Sequence, residues 1–243
     1  MFALYKREVR SYFLSPFAYI LSALFLLVFS LSFIQSVSNM SSSTLRFSFA
    51  DLYYANFYYF IFMIPLLTMR TFAEERKSHT DTVWLSAPVT IPQVVLAKFF
   101  AVVTVYLLML GLSLIFPLIA FIKGNVILSS LICGYVGFAL WGMVCIAVGI
   151  LCSSLTESPI LAAIFGEGAM IVLVYLDNFS QSGLIQSMPV VSKIMLWFAT
   201  EHRFEAFSLG FFSLADLFFF LTLTVVVLVW TIIIVEKRRW SRG

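Results

Sequence analysis

Six long apolar runs, at about residues 17–37, 52–70, 93–122, 126–152, 159–176 and 214–235, alternate with short polar breaks along the chain. Each is near or above the roughly 20 residues that a helix needs to cross a bilayer. In hydrocarbon the backbone must satisfy its own hydrogen bonds, which a single apolar run does only as a helix. The pattern predicts an all-α integral membrane protein of six transmembrane helices. It forms one domain over residues 1–243, with no room for a separate soluble one.

The breaks predict the remaining elements. Residues 2–14, FALYKREVRSYFL, place Phe2, Tyr5, Val9, Tyr12 and Phe13 on one side, as an amphipathic helix in the interface would. Ser15-Pro16 stops it, because a residue before proline is pushed out of the helical region. The first apolar run exceeds a signal-peptide core and lacks a cleavage site after it, so an uncleaved span is expected. Tyr53, Tyr54, Tyr58 and Tyr59 suit the headgroup level at the start of the second span. The third should begin with an interfacial turn around Lys98 and bend near Pro117. The fourth carries Cys133, Gly134, Gly137, Ala139, Gly142, Cys145 and Gly149, and small residues let helices approach in lipid, which puts this span at the centre. Ser158, Ala162 and Gly166 make a second close-packing stripe in the fifth. Residues 177–186 are polar and 189–200 apolar but too short to span, so an outer interfacial or re-entrant helical segment is expected between spans five and six.

Composition agrees: 62% of residues are hydrophobic and 11% charged, with a mean hydropathy of +1.03. The net charge of +3 is too small an excess to suggest nucleic acid as a partner. With the N-terminus inside, eleven of the 15 Lys and Arg fall on inner segments, which favours cytoplasmic termini. The three cysteines lie in one apolar run and read as small buried hydrophobes, without a disulfide framework or metal spacing.

Catalytic signals are sparse. The chain has no phosphate-binding loop, no HExxH helix and no GxSxG elbow, so no catalytic residue and no metal ligand is assigned. Glu167 falls about halfway through the fifth span. A carboxylate there is paired, protonated or facing a cavity, and it reads either as a pathway group or as a structural hydrogen-bonding partner. Residues 201–207, EHRFEAF, read as a solvated anchor at an outer helix end, or as a gate or partner contact.

The densest charge in this apolar chain is RTFAEERKSHTDTVWLSAPVTIP, residues 70–92. Ser78 and Asp81 have capping-box spacing and predict a short helix through Val83, Trp84 and Leu85, stopped before Pro88. Such a helix serves as a docking element for another protein, or as an interfacial helix anchored in lipid by Trp84.

These residues carry a resemblance. Phe72-Ala73-Glu74-Glu75-Arg76, then Thr80, Leu85, Pro88-Val89 and Lys98, resemble the cytoplasmic coupling segment of type-2 ABC transporter permeases, in particular the branch with gliding-motility subunits. Lys6-Arg7-Glu8 with Tyr12-Phe13, Ser15-Pro16 and Tyr19 is similar to that branch's elbow helix. His202, Phe204, Phe207, Gly210 and Asp216 are similar to its outer motif before the last span. His79 stands where the family often has Gly, and Trp84 where an aliphatic residue is common.

The resemblance implies a permease subunit of the bacterial cytoplasmic membrane, paired with a second permease as homodimer or heterodimer. Two copies of a separate ATPase would bind ATP and magnesium, with no cofactor in this chain. The ATPase would dock on Glu74, Glu75, Arg76, Thr80, Asp81, Trp84, Leu85 and Pro88, and rock spans one, two and five through them and the elbow residues Lys6, Arg7, Glu8 and Tyr12. The implied activity is export of an amphipathic, lipid-linked or polymeric substrate, or the coupling of ATP hydrolysis to an envelope or motility process. A membrane scaffold or sensor that transports nothing is the reading from another class.

Overall fold

The computed structural model describes residues 1–40, 49–80, 89–123, 127–180 and 188–241, and among these every regular element is helical. In chain order they are α1 (Phe2–Leu14), α2 (Pro16–Met40), α3 (Ala50–Thr68), α4 (Ala73–Lys77), α5 (Ile91–Ser113), α6 (Ile115–Lys123), α7 (Leu128–Leu155), α8 (Pro159–Ser180), α9 (Pro189–Phe198), α10 (Glu201–Ser208) and α11 (Leu214–Ser241). Six stretches are long and apolar enough to cross a membrane. Ser15, extended at φ −86° and ψ 126°, breaks α1 from α2. The third span is interrupted at Leu114, between α5 and α6; Pro117 has no N–H to offer the carbonyl of Ser113 and so cannot continue the ladder there.

α7 is the centre of the bundle. It packs most extensively against α11, α3 and α8, and also carries α5 and α10. Its glycines act less by bringing backbones together than as sockets for large side chains. A methyl group at Gly134 would meet the Tyr53 ring, one at Gly142 the Tyr106 ring, one at Gly137 the Phe207 side chain and one at Gly149 the hydroxyl of Thr68. In lipid, where burial gives no net drive, such shape matching supplies the packing energy. Trp141 of α7 completes the core, stacked on Phe57 with ring centroids 4.7 Å apart.

Several polar and aromatic positions sit deeper than their patterns suggest. Tyr53 is fully buried and donates its hydroxyl to Leu131 O at 3.2 Å, so it is a core residue, unlike the more exposed Tyr54 and Tyr59. There is no interfacial turn around Lys98: α5 runs as regular helix through it and the side chain is enclosed. On α1, Leu4 and Tyr12 pack against the core while Phe2 and Phe13 face outward, which splits the expected aromatic face in two.

Between spans five and six the short apolar stretch forms helix α9, as expected, but the charged stretch after it is built differently. α10 is no solvated anchor: Phe204 and Phe207 are fully buried, and Phe204 stacks on Phe57 at 4.7 Å. It ends in a Schellman motif, with Gly210 N–H on Phe207 O at 3.1 Å and Phe211 N–H on Ala206 O at 3.0 Å. Gly210 has φ +90°, and a Cβ there would come within 2.9 Å of Ser130 N, so both conformation and space call for glycine.

Candidate functional site

One end of the bundle holds a closed ring of four charges. Lys98 of α5, only 1% exposed, places Nζ 3.0 Å from Glu75 Oε2 and 3.4 Å from Glu8 Oε2. Arg7 closes the ring from the other side, 2.6 Å from Glu8 Oε1 and 3.2 Å from Glu75 Oε1. Lys98 also donates to Thr71 O at 2.7 Å and lies 5.1 Å from the centre of the Phe72 ring. A buried ammonium is tolerated only when its donors find acceptors, and here two carboxylates and a carbonyl supply them. The ring joins three segments distant in sequence: α1, α4 and the start of α5.

Two further ties fix α1. Tyr12 donates to Leu67 O at 3.3 Å, and Tyr5 shares a 2.8 Å hydrogen bond with Thr104 of α5. Desolvation of the Tyr12 hydroxyl raises its pKa above the ordinary tyrosine range, so it stays a donor. The hydrogen bond that Arg7 donates to the Glu8 carboxylate raises the Arg7 pKa further, keeping that cation charged.

The end of the second span is tied to the connection between spans four and five. Helix α3 stops at Thr68, and the chain turns before α4 begins at Ala73. The N–H groups of Phe72 and Ala73 both reach the buried Ser153 Oγ at 3.1 Å, and that hydroxyl donates to Met69 O at 3.0 Å. One serine thereby satisfies backbone groups on both sides of the turn. Arg76 adds donors to Ser154 O at 3.0 Å and Thr156 O at 2.9 Å, and an ion pair with Glu157 at 3.0 Å. Arg238, near the end of α11, reaches Leu155 O at 3.0 Å. Helix α1 and the second, third, fourth and last spans thus meet at this junction.

α4 therefore has two faces. Glu75 and Arg76 point into the junction, while Glu74, Lys77 and Thr80 are exposed. Arg70 lies 3.9 Å from Glu74 and 4.6 Å from the centre of the Phe17 ring. A polar cavity of about 330 Å³ opens between α1 and α4, lined by Glu8, Tyr12, Arg70, Glu74, Thr80 and Lys98 among others. Ser78 does not begin a new helix. It closes α4, its hydroxyl donating to Glu74 O at 2.9 Å, and a Schellman motif follows in which His79 N–H meets Arg76 O at 3.2 Å and Thr80 N–H meets Glu75 O at 2.9 Å. His79 takes φ +54°, the left-handed position where glycine is at ease. Asp81, Trp84, Leu85 and Pro88, with the helix expected around them, lie outside the described residues.

The remaining expected site residues fall elsewhere. Lys6 is exposed on α1 and Glu167 half-buried on α8, where no side chain among the described residues bonds its carboxylate. At the opposite end of the bundle Asp216 pairs with Arg203 at 2.7 Å, His202 is exposed, and the Glu201 carboxylate accepts from the hydroxyls of Tyr54 and Tyr58. Sequence reading passed over Ser153, Glu157 and the central role of Lys98. A serine in an apolar run carries no pattern, and a lysine near a span end looks like any other topological charge.

Residues 34–235 match the family described as ABC-2 family transporter protein. The chain belongs to the ABC-2 transporter family. It is therefore a multi-pass permease subunit of an ABC transporter, a component whose family works with an ATPase partner. The match takes in α3 to α10 and all but the far end of α11, so the Ser153 node and Lys98 lie inside it, while Arg7, Glu8 and Tyr12 lie before its first residue. A search of curated proteins finds no match to this ABC-2 permease.

Proposed function

We propose that the junction is the receiving end of this ABC-2 permease, where a separate ATPase binds and its movement enters the membrane. The observation that carries this reading is the Lys98–Glu75–Arg7–Glu8 ring. A push on the exposed face of α4 has no soft path around the ring, so it passes to α1 and α5, and through Ser153 to α7. ATP and magnesium belong to the partner on this reading, in two copies per complex, and the permease pairs with a second permease subunit. The junction faces the bacterial cytoplasm, with both termini on that side, in keeping with the Lys and Arg bias. The substrate is amphipathic, lipid-linked or polymeric and moves outward, and Glu167 borders its path. The resemblance of the elbow and coupling segments supports placing the permease in the gliding-motility-type branch.

The test separates the two faces of α4. Affinity-tagged permease is purified from native membranes with its ATPase, and hydrolysis by the complex is measured. Glu74→Lys is expected to release the ATPase while leaving permease stability unchanged. Retention of the ATPase at wild-type stoichiometry in Glu74→Lys and in Lys77→Glu would overturn docking at this face.

A further inference from the structure

At the end of the bundle opposite the charged ring, a groove of about 510 Å³ runs down α11 beneath the end of α9. Its floor is a single helical stripe in which Ala215, Phe218, Phe219, Thr222 and Val226 recur at helical spacing. Trp197 overhangs it, meeting Phe219 edge to face at 5.8 Å. Phe218 and Val226 remain 63% and 53% exposed within the chain. Thr222, the polar residue of the stripe, donates its hydroxyl to Phe218 O at 2.7 Å, so its one donor is already engaged.

One end of the groove is charged. Arg203 lines it and is held in place by Asp216, by the Phe219 ring 4.1 Å below its guanidinium and by Trp197 O at 3.4 Å. A guanidinium has five N–H donors, and these contacts leave some unused. A second, more polar notch of about 420 Å³ shares Arg203 and adds His202 and Asp216. From Asp216 to Val226 the helix rises about 15 Å, which is half of a hydrocarbon core roughly 30 Å thick. The groove therefore has the depth of one leaflet, with a pre-oriented cation at the level of the headgroups.

We infer that the groove seats one glycerophospholipid of that leaflet, an acyl chain along α11 and the phosphate against Arg203. α11 is a spanning helix, so the medium around this face is lipid, and a long concave apolar stripe there fills with acyl chain. The fixed guanidinium is what distinguishes a seat from ordinary lipid contact, because it recognises phosphate through charge-assisted hydrogen bonds. This seat does not depend on the ATPase docking, and its failure would leave that reading untouched.

The experiment is native mass spectrometry of the full chain released from nanodiscs holding equal amounts of phosphatidylethanolamine and a diacylglycerol with the same chains. The wild type is expected to retain phosphatidylethanolamine in preference. Ala215→Trp and Thr222→Trp, which fill the groove without touching the ion pair, should each lower retention about tenfold, the equivalent of losing roughly two buried methylenes. Arg203→Lys should keep the lipid but narrow the preference over diacylglycerol. Equal retention in both filled variants, at unchanged melting temperature, overturns the seat. So does a disulfide-linked dimer formed through Thr222→Cys in intact membranes, which would show a second copy of the chain on this face.

Discussion

Nζ of Lys98 lies 3.0 Å from Oε2 of Glu75, and the pair stands inside a ring in which each charge has two neighbours of opposite sign. Enclosed charges are kept only by their partners, so removing one of them is worse than never having placed it there. Lys98→Met should therefore lower the unfolding free energy by about 3–5 kcal/mol. Lys98→Arg, which keeps the charge, should cost less. Glu8→Gln should also cost less, because Lys98 retains Glu75 and Thr71 O. Melting temperatures in detergent rank the variants. In the double variant Lys98→Met/Glu75→Gln the losses should fall short of additive, since each single change strands the residue that the other one removes.

Ser153 Oγ is the acceptor for two backbone N–H groups and a donor to a third backbone group, all across one turn. Ser153→Ala strands them in a buried site, at a cost of about 1–3 kcal/mol. The loosened element should be α4 itself, so hydrogen exchange at Phe72 and Ala73 should speed up more than exchange in the middle of α7. Ser153→Thr, which keeps the hydroxyl, should protect both amides. Unchanged exchange in Ser153→Ala would mean that the turn is held by other contacts.

The spans were legible because hydrophobic length is a one-dimensional signal: six stretches among the described residues are helical and apolar enough to cross a membrane. Pro117 and Ser15-Pro16 were legible as breaks for the same local reason. The junction was only half legible. Glu75, Arg76, Arg7 and Glu8 stood out as charges in an apolar chain, but their pairing with Lys98 depends on which helix ends meet, and no local pattern encodes that. Phe204, Phe207 and Tyr53 were misjudged because an aromatic beside charges has the same pattern whether it faces lipid headgroups or a glycine socket. His79, which the resemblance sets at a position that often holds Gly, acquires a physical meaning only with its φ of +54°.

Two left-handed positions make a matched pair. Gly210 has no room as well as a positive φ, so Gly210→Ala should destabilise through both backbone strain and the clash with Ser130, by more than the roughly 1–2 kcal/mol of the left-handed penalty alone. His79 already bears that penalty on an exposed turn. His79→Gly should stay within about 1 kcal/mol of wild type, the strain relieved being set against the greater freedom of the unfolded glycine. His79→Val should be the costly change there, because a β-branched residue tolerates this backbone least. Thermal unfolding of the three variants checks the order.

The glycines of the spans divide by what a methyl group would meet. At Gly142 it would come within 2.2 Å of the Tyr106 ring, whose hydroxyl is engaged with Phe138 O at 2.7 Å and so resists moving aside. Gly142→Ala should destabilise by about 1–3 kcal/mol through overpacking. At Gly168 and Gly111 the same methyl would meet nothing within 4 Å among the described residues. Gly111→Ala should be neutral or stabilising by up to about 1 kcal/mol, since alanine loses less backbone entropy in a helix. Gly168 lies on the outward face of α8 beside Ile164, Phe165, Ile171 and Val172, all exposed in the single chain. If a second permease subunit packs on that face, Gly168→Ala should leave monomer melting unchanged and weaken subunit association, read as a shift toward monomer in single-molecule photobleaching of nanodiscs. If subunit association is unchanged in Gly168→Ala and also in the larger Gly168→Leu, that face is not the contact between subunits.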